Sequence, residues 1–94
     1  VVVECIGVSD AAGVRPRDTT RVTGVLAARL EQVVASQELT VEAALAGSRE
    51  LVLEAMLCDP VASALAYEDV VSMTDEMLAA TSPWLPRFER AGTP

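Results

Sequence analysis

The run from Val25 to Gly47 is the longest uninterrupted helical pattern in the chain, and it limits what the rest can form. It contains no proline, and glycine stands only at its borders, Gly24 and Gly47. Apolar residues recur at every third or fourth position, which predicts one apolar stripe along an α-helix. The members of this stripe are Val22, Leu26, Leu30, Val33, Val34, Val41, Ala44 and Leu45.

The length of this helix is large for so short a chain. At about 1.5 Å per residue it measures roughly 35 Å. A compact globule of about this chain length has a radius of gyration of only about 13 Å. The helix is then as long as the whole globule is wide, so we expect it to need a surface that these 94 residues do not supply.

The composition allows one domain with a modest core. The apolar fraction is 51%, yet only three residues are aromatic, Tyr67, Trp84 and Phe88. A core of Val, Leu and Ala suits close helix packing better than a groove that stacks on carbohydrate rings. The chain opens with Val1, inside a strand pattern, which is typical of a segment of a longer protein.

The charge balance excludes two classes of partner. The chain has no Lys and no His, and seven Arg stand against fourteen acids, giving a net charge of −7. Nucleic-acid binding and adhesion to an anionic membrane both need clustered cations. No apolar run approaches the roughly 20 residues that span a bilayer, and no signal-peptide pattern precedes the domain, so we expect no membrane partner.

The two cysteines, Cys5 and Cys58, lie far apart in the sequence, one in a predicted strand and one in a predicted helix. Two buried free thiols are the simpler interpretation, and a disulfide or a metal site is the alternative. Because no His is present, a zinc site would need more thiols than the chain has. Free thiols indicate a cytoplasmic protein.

The N-terminal half predicts a hairpin followed by the long helix. Residues 1–17 form a β-hairpin, with Pro16 at a strand edge or end because proline cannot donate to a ladder. Residues 18–47 contain the long helix, which ends at Gly47 as a left-handed C′ residue. Gln37 lies on the apolar stripe, either as a buried amide hydrogen-bonded to backbone or to a partner, or as a ligand contact.

The C-terminal half predicts two further helices and a tail. Residues 48–59 form a helix that is apolar on nearly every side and is therefore expected to be buried, with Ser48 as its N-cap. Residues 67–81 form an amphipathic helix. Residues 82–94 are expected to be an irregular tail anchored by Trp84, Leu85 and Phe88.

No catalytic, cofactor-binding or metal-binding residues are predicted. The five glycines form no phosphate-binding loop, and a His-based triad is excluded by composition. Two carboxylate pairs exist, but their helical positions place them in solvent rather than in acid–base work: Asp75 with Glu76, and Glu50 with Glu54.

Five short segments in order resemble the C-terminal part of the family 4 glycoside hydrolases, the α-galactosidase, α-glucosidase and 6-phospho-glycosidase group. These segments are Gln37–Ala44, Gly47–Arg49, Asp59–Pro60, Asp75–Leu78 and Trp84–Phe88. The opening strand and Gly13, Val14 and Pro16 are similar to the hairpin just upstream in that family. The resemblance covers almost the whole chain.

This resemblance implies the fold and the parent protein. The fold class is mainly α with an N-terminal β-hairpin, the C-terminal part of an α+β domain like that of lactate dehydrogenase. The parent carries an NAD-binding Rossmann domain and uses a divalent metal, commonly manganese. It hydrolyses glycosidic bonds by oxidation, elimination and addition, with its cofactor, metal and acid–base residues upstream of this segment.

The resemblance implies a structural role for the chain itself. Its partners are the N-terminal remainder of the parent and, through the long helix, other copies in a homo-oligomer. The isolated 94 residues are expected to be inactive. The alternatives are a stand-alone helical interaction or dimerisation module and, less well supported because no site is present, a small enzyme.

Overall fold

The structure, a computed structural model, describes residues 4–91, and it describes the side chains of residues 4–88. It is mainly helical with an N-terminal antiparallel hairpin, which confirms the predicted fold class. The elements are β1 (Gly7–Asp10), β2 (Gly13–Pro16), α1 (Gly24–Ala46), α2 (Arg49–Cys58), α3 (Tyr67–Thr81) and α4 (Pro86–Ala91). Two short 3₁₀ turns, Ala62–Ala64 and Ser82–Trp84, flank α3.

The turn between β1 and β2 stabilises the hairpin. Strands β1 and β2 pair with Val8 opposite Arg15 and Asp10 opposite Gly13. The Asp10 carboxylate accepts a hydrogen bond from the Ala12 amide at 2.8 Å, and Gly13 takes a φ of 112° that other residues rarely adopt. Nearly every hairpin residue is exposed on both faces, so the two strands have no core of their own.

Helix α1 ends as its sequence predicts. Gly47 adopts the left-handed conformation, with φ 67°, and its amide donates to the Ala43 carbonyl at 2.8 Å. At the other end, Thr23 is the N-cap residue, but its side chain makes no capping hydrogen bond. The first turns of α1 are therefore held less firmly than the last ones.

Helix α2 turns back along α1 after a single residue. Ser48 accepts a hydrogen bond from the Leu51 amide, which confirms the predicted N-cap. The prediction that this helix is buried on all sides is wrong. Only Ala55 is buried, because the described elements that contact α2, namely α1, α3 and the turn Ala62–Ala64, do not surround it.

Removing the Ser48 hydroxyl should weaken α2. We expect Ser48→Ala to lower the free energy of unfolding by about 1 kcal/mol, because the Leu51 amide loses its acceptor. Thr23→Ala is the matched control, since the Thr23 side chain caps nothing. Urea titration of both variants checks the pair, and equal losses would show that the cap does not act as described.

The core at the junction of α1, α2 and α3 is built from small side chains. Its buried members are Ala43, Ala55, Ala62, Val70 and Thr74. Helix α1 is also tied to α2 where the Ser36 hydroxyl donates to the Ala55 carbonyl at 3.1 Å. Small residues let the helix axes approach closely, but they bury little apolar area.

The C-terminal segment, expected to be irregular, is instead a 3₁₀ turn followed by helix α4. Pro83 and Pro86 stand in the first turns of these two elements, where the missing amide hydrogen costs nothing. Leu85 and Phe88 are half-buried, as expected of anchors. Trp84 was expected to be an anchor as well, but it is 75% exposed, so that prediction is wrong.

The chain is extended rather than compact. Its radius of gyration is 17.6 Å and its principal extents are 51 × 35 × 20 Å. A packed domain of this size has a radius of gyration of about 13 Å. The difference arises because α1 and the hairpin project beyond the α2–α4 cluster.

Candidate functional site

An apolar groove lies between α1, α2, α3 and α4. Its volume is about 650 Å³, within the range of small-molecule pockets. Alanines from α1 and α2 contribute to its walls together with methionine, leucine and aromatic side chains, namely Ala43, Ala44, Ala55, Met56, Met73, Met77, Leu78, Leu85 and Phe88.

The polar side chains that line this groove are used within the chain. The Thr40 hydroxyl donates to the Ser36 carbonyl and the Thr81 hydroxyl to the Met77 carbonyl, each at 2.7 Å. The Asp59 carboxylate accepts from the amides of Val61 and Ala62 at 2.8 and 2.9 Å. A sugar needs several free polar partners, so this groove suits an apolar occupant better than a carbohydrate.

The apolar stripe of α1 is the second exposed surface. Leu26 is 61% exposed, Leu30 47%, Val41 59% and Leu45 64%. Val33 and Val22 are also exposed, whereas Val34 is half-buried. Exposed apolar stripes of this length mark surfaces that bind another protein surface. The expectation that this chain leaves its long helix uncovered is therefore met by the described residues.

A bidentate ion pair joins α2 to α3. The Arg49 guanidinium donates to both carboxylate oxygens of Asp75, at 2.6 and 2.9 Å. These hydrogen bonds lower the pKa of the Asp75 carboxyl below its ordinary value and raise the pKa of Arg49. Asp75 is exposed, as expected for a residue on a solvated helix face, and it also links α3 to α2 through this ion pair.

The sign of the Asp75 shift predicts a pH dependence. Because the folded-state pKa is lowered, the pair stabilises the fold above the ordinary carboxyl pKa of 3.8 and loses that contribution as the pH falls through the folded value. We expect Asp75→Asn to reduce stability at pH 7 and to flatten the loss of stability below pH 4. Urea titrations at several pH values check this, with Glu54→Gln as the control. An unchanged acid slope in Asp75→Asn would contradict it.

The other candidate residues do not come together in one site. Gln37 is exposed, so its amide is not buried within the described chain, and its burial against a partner stays a prediction. Cys58 is half-buried and Cys5 is exposed, so the predicted burial of both thiols was wrong, although both are free. Cys5 is exposed because the hairpin packs on no helix face that could cover it.

The carboxylate pairs have structural neighbours rather than reactive ones. Glu50 accepts from the Ser48 hydroxyl at 3.2 Å and Glu76 from the Ser72 hydroxyl at 3.3 Å. No group of three or more metal-ligating side chains occurs among residues 4–88. Within the same range, none of the helices combines the length and apolarity that crossing a bilayer requires.

Sequence reasoning missed one structural residue, Arg87. Its guanidinium donates to the Leu45 carbonyl at 2.8 Å, at the C-terminal end of α1. A cation at this end interacts favourably with the unpaired carbonyls and the helix dipole. No local pattern marks this contact, because the two residues are 42 positions apart.

Comparison with known proteins identifies the family. Residues 1–62, about two thirds of the chain, match the family 4 glycosyl hydrolase C-terminal domain. The chain belongs to this family, as the resemblance in its sequence implied.

Two curated relatives extend the match over almost the whole chain. An alpha-galactosidase of Bacillus subtilis (strain 168) is 35% identical over 89 residues, which cover 94% of this chain and 21% of the relative. An alpha-galactosidase of Rhizobium meliloti (strain 1021) is 32% identical over 91 residues, covering 96% of this chain and 19% of the relative. The chain thus spans about a fifth of the length of these relatives. No solved structure matches it significantly.

Proposed function

We propose that this chain is the C-terminal structural segment of a glycosidase that hydrolyses glycosidic bonds, with α-galactosides as the first substrates to test. The observation that carries the proposal is the family match over residues 1–62. Two relatives named alpha-galactosidase support the substrate class. Since the chain spans a fifth of those proteins, the catalytic centre belongs to the remainder of the parent chain.

The role of the segment is to support that remainder. Its hairpin exposes nearly all of both strands and can extend a sheet of the parent, because the ladder has two open edges. Its groove and its apolar stripe need cover in water. A surface that stabilises a neighbouring domain and an interface between copies both fit this geometry.

The parent is proposed to use NAD and a divalent metal such as manganese in an oxidation, elimination and addition sequence. The residues described here do not fit either group. Residues 4–88 contain no cluster of metal-ligating side chains and no glycine-rich loop at a helix N-terminus. We therefore derive no step through NAD or metal from this chain, and their sites are proposed for the rest of the parent.

The proposal places the protein in the cytoplasm. This location is supported by two free thiols, one of them exposed, which oxidising compartments tend to convert to disulfides.

The alternative function is a stand-alone helical interaction module. The observation in its favour is the same exposed stripe on α1, which can pair with a partner helix without any catalytic domain. The two functions differ in what the gene encodes. A glycosidase parent has a strand, a glycine-rich loop and a helix upstream of this segment, together with a Cys and a His that bind the metal.

The deciding experiment is an activity assay of the protein encoded by the whole gene. We expect hydrolysis of a chromogenic α-galactoside that requires both NAD and Mn²⁺ and is lost on treatment with a chelator. The 94-residue chain alone serves as the control and should bind no NAD and show no activity. A gene product without an upstream dinucleotide-binding domain would overturn the proposal and favour the interaction module.

A further inference from the structure

Two rows of side chains define the outer face of α1. Leu26, Leu30 and Val34 stand four residues apart and form one row, and Gln37, Val41 and Leu45 form the second. Rows of this i, i+4 kind are the ridges that interlock when two helices pack. Five of the six residues are exposed and Val34 is half-buried. Helix α2 contacts a different side of α1, through Ser36 and Ala43.

The spacing of these six residues along α1 is symmetric. The steps between the six residues are 4, 4, 3, 4 and 4, symmetric about the midpoint between Ala35 and Ser36. An antiparallel copy of α1 rotated about that midpoint therefore sets Leu26 opposite Leu45, Leu30 opposite Val41 and Val34 opposite Gln37. Apolar residues meet apolar residues at both ends, and the single amide lies near the axis.

We propose that the occupant of this face is a second copy of the chain, with the two α1 helices packed antiparallel across a two-fold axis between Ala35 and Ser36. Contact along the roughly 28 Å between Leu26 and Leu45 requires nearly aligned helices, and the packing class with axes crossing at about 20° provides it. A two-fold contact uses the same patch on both copies. This inference rests on the proposed structural role of the segment and specifies which face the homo-oligomer uses.

The exposed area is of the right order for such a contact. At the exposed fractions given above, the apolar members of the stripe present on the order of 500 Å², the size of patch that marks interaction surfaces. A stable interface buries about 800 Å² on each partner, and neighbouring polar side chains such as Gln37 supply the remainder. The projecting first turns of α1 leave this face accessible.

An alternative dimer could form with the two grooves facing each other, but the charge distribution of the chain disfavours it. Residues 38–88 carry nine acids, Glu or Asp, and two Arg, a net charge of −7, whereas residues 4–37 carry four acids and four Arg. A groove-to-groove contact would bring the two acidic parts together. The two-fold contact on α1 is centred at the edge of the neutral part, so the acidic clusters stay on the outer sides of the pair.

One pair of like charges remains in the proposed contact, and it predicts how association depends on salt. On an antiparallel pair, equivalent flanks of the helices meet, so Glu31 lies near Glu38 of the second copy. Like charges at this separation weaken the contact and are screened by salt. Association should therefore strengthen when salt is added, and Glu38→Gln should strengthen it at low salt, while Glu54→Gln on the far side of α2 should not.

Cross-linking tests the register. In a background carrying Cys5→Ser and Cys58→Ser, we expect a short bismaleimide to join Leu30→Cys to Val41→Cys when the two variants are mixed. Neither variant alone should cross-link, because equivalent positions lie about 16 Å apart along the axis at 1.5 Å per residue. A mixture of Leu26→Cys and Leu30→Cys is the control. Absence of the Leu30–Val41 product, or equal yields in the control, would overturn the proposal.

Sedimentation tests the face without relying on cysteine. Leu30→Glu should lower the association constant at least tenfold, whereas Val25→Glu, at a residue 83% exposed but off the rows, should leave it unchanged. Because both positions are solvent-exposed, circular dichroism should show the same helix content in both. A monomeric wild-type chain at high concentration would overturn the proposal. If the chain cross-links as expected but the protein encoded by the whole gene shows no glycosidase activity, only the proposed function of the parent is rejected.

Discussion

Gly47→Ala is expected to destabilise the chain by about 3 kcal/mol, because two independent costs meet at one residue. The backbone there is left-handed, with φ 67°, which costs a residue with a Cβ about 1–2 kcal/mol. A Cβ would also stand 2.5 Å from the Arg87 carbonyl oxygen and 2.7 Å from its carbon. Main-chain atoms cannot swing aside, so α4 must move away from α1 and Arg87 must release the Leu45 carbonyl.

Gly24→Ala separates these two costs. Gly24 has nearly the same conformation, with φ 70°, but a Cβ added there would meet no neighbouring atom within 4 Å. We expect Gly24→Ala to cost about 1 kcal/mol, from conformation alone. Thermal unfolding measures both, and the larger loss corresponds to a fall in melting temperature on the order of 15 °C. Equal losses in the two variants would show that the contact between α4 and the end of α1 does not form.

Ala43→Leu is expected to have the second largest effect, because it enlarges a buried side chain between α1 and α2. Ala43 is 1% exposed where α1 meets α2. Although Ala43 also borders the groove, a leucine there must either part α1 from α2 or turn its side chain into the groove, and we expect a cost of about 1–3 kcal/mol. Separation also strains the hydrogen bond from Ser36 to the Ala55 carbonyl, which raises the total.

Ala35→Leu is the matched control on the same helix. Ala35 is exposed and lies on neither the groove nor the two rows, so the added side chain meets water. We expect a change within about 0.5 kcal/mol, as for ordinary surface positions. Urea titration followed by circular dichroism distinguishes the two variants. A tolerated Ala43→Leu would mean that the α1–α2 contact is looser than described.

Local chemistry explains which parts of the fold were predictable. Gly47 and Ser48 set the end of α1 and the start of α2 through backbone geometry and a capping hydroxyl, and both act within three residues of themselves. The hairpin followed in the same way from its Asp10–Gly13 turn. Such features depend on residues that are close together in the sequence, so they can be predicted from it.

Features that depend on distant neighbours were not predictable. The apolar pattern of α2 led to an expectation of full burial, but burial depends on how many elements surround a helix, and this chain provides too few. Trp84 was misplaced for the same reason. The contacts of Arg87 with Leu45 and of Arg49 with Asp75 join residues 42 and 26 positions apart, without a local signal.

The features of the candidate site can likewise be divided into those that local sequence predicts and those that it does not. The apolar stripe and its exposure followed from periodicity and from a helix too long for the chain to cover. The groove did not, since it forms where four helices meet and its walls come from residues between Ser36 and Phe88. Family membership was recognisable because it is carried by short ordered segments rather than by a site.

The central claim is that α1 is stabilised by surfaces outside this chain. Hydrogen–deuterium exchange of residues 24–34 tests it most directly, comparing the 94-residue chain, at a concentration where it is monomeric, with the protein encoded by the whole gene. We expect rapid exchange in the isolated chain, because these turns project beyond α2, and protection at least a hundredfold greater in the whole protein. Equal protection in the two samples would contradict the account.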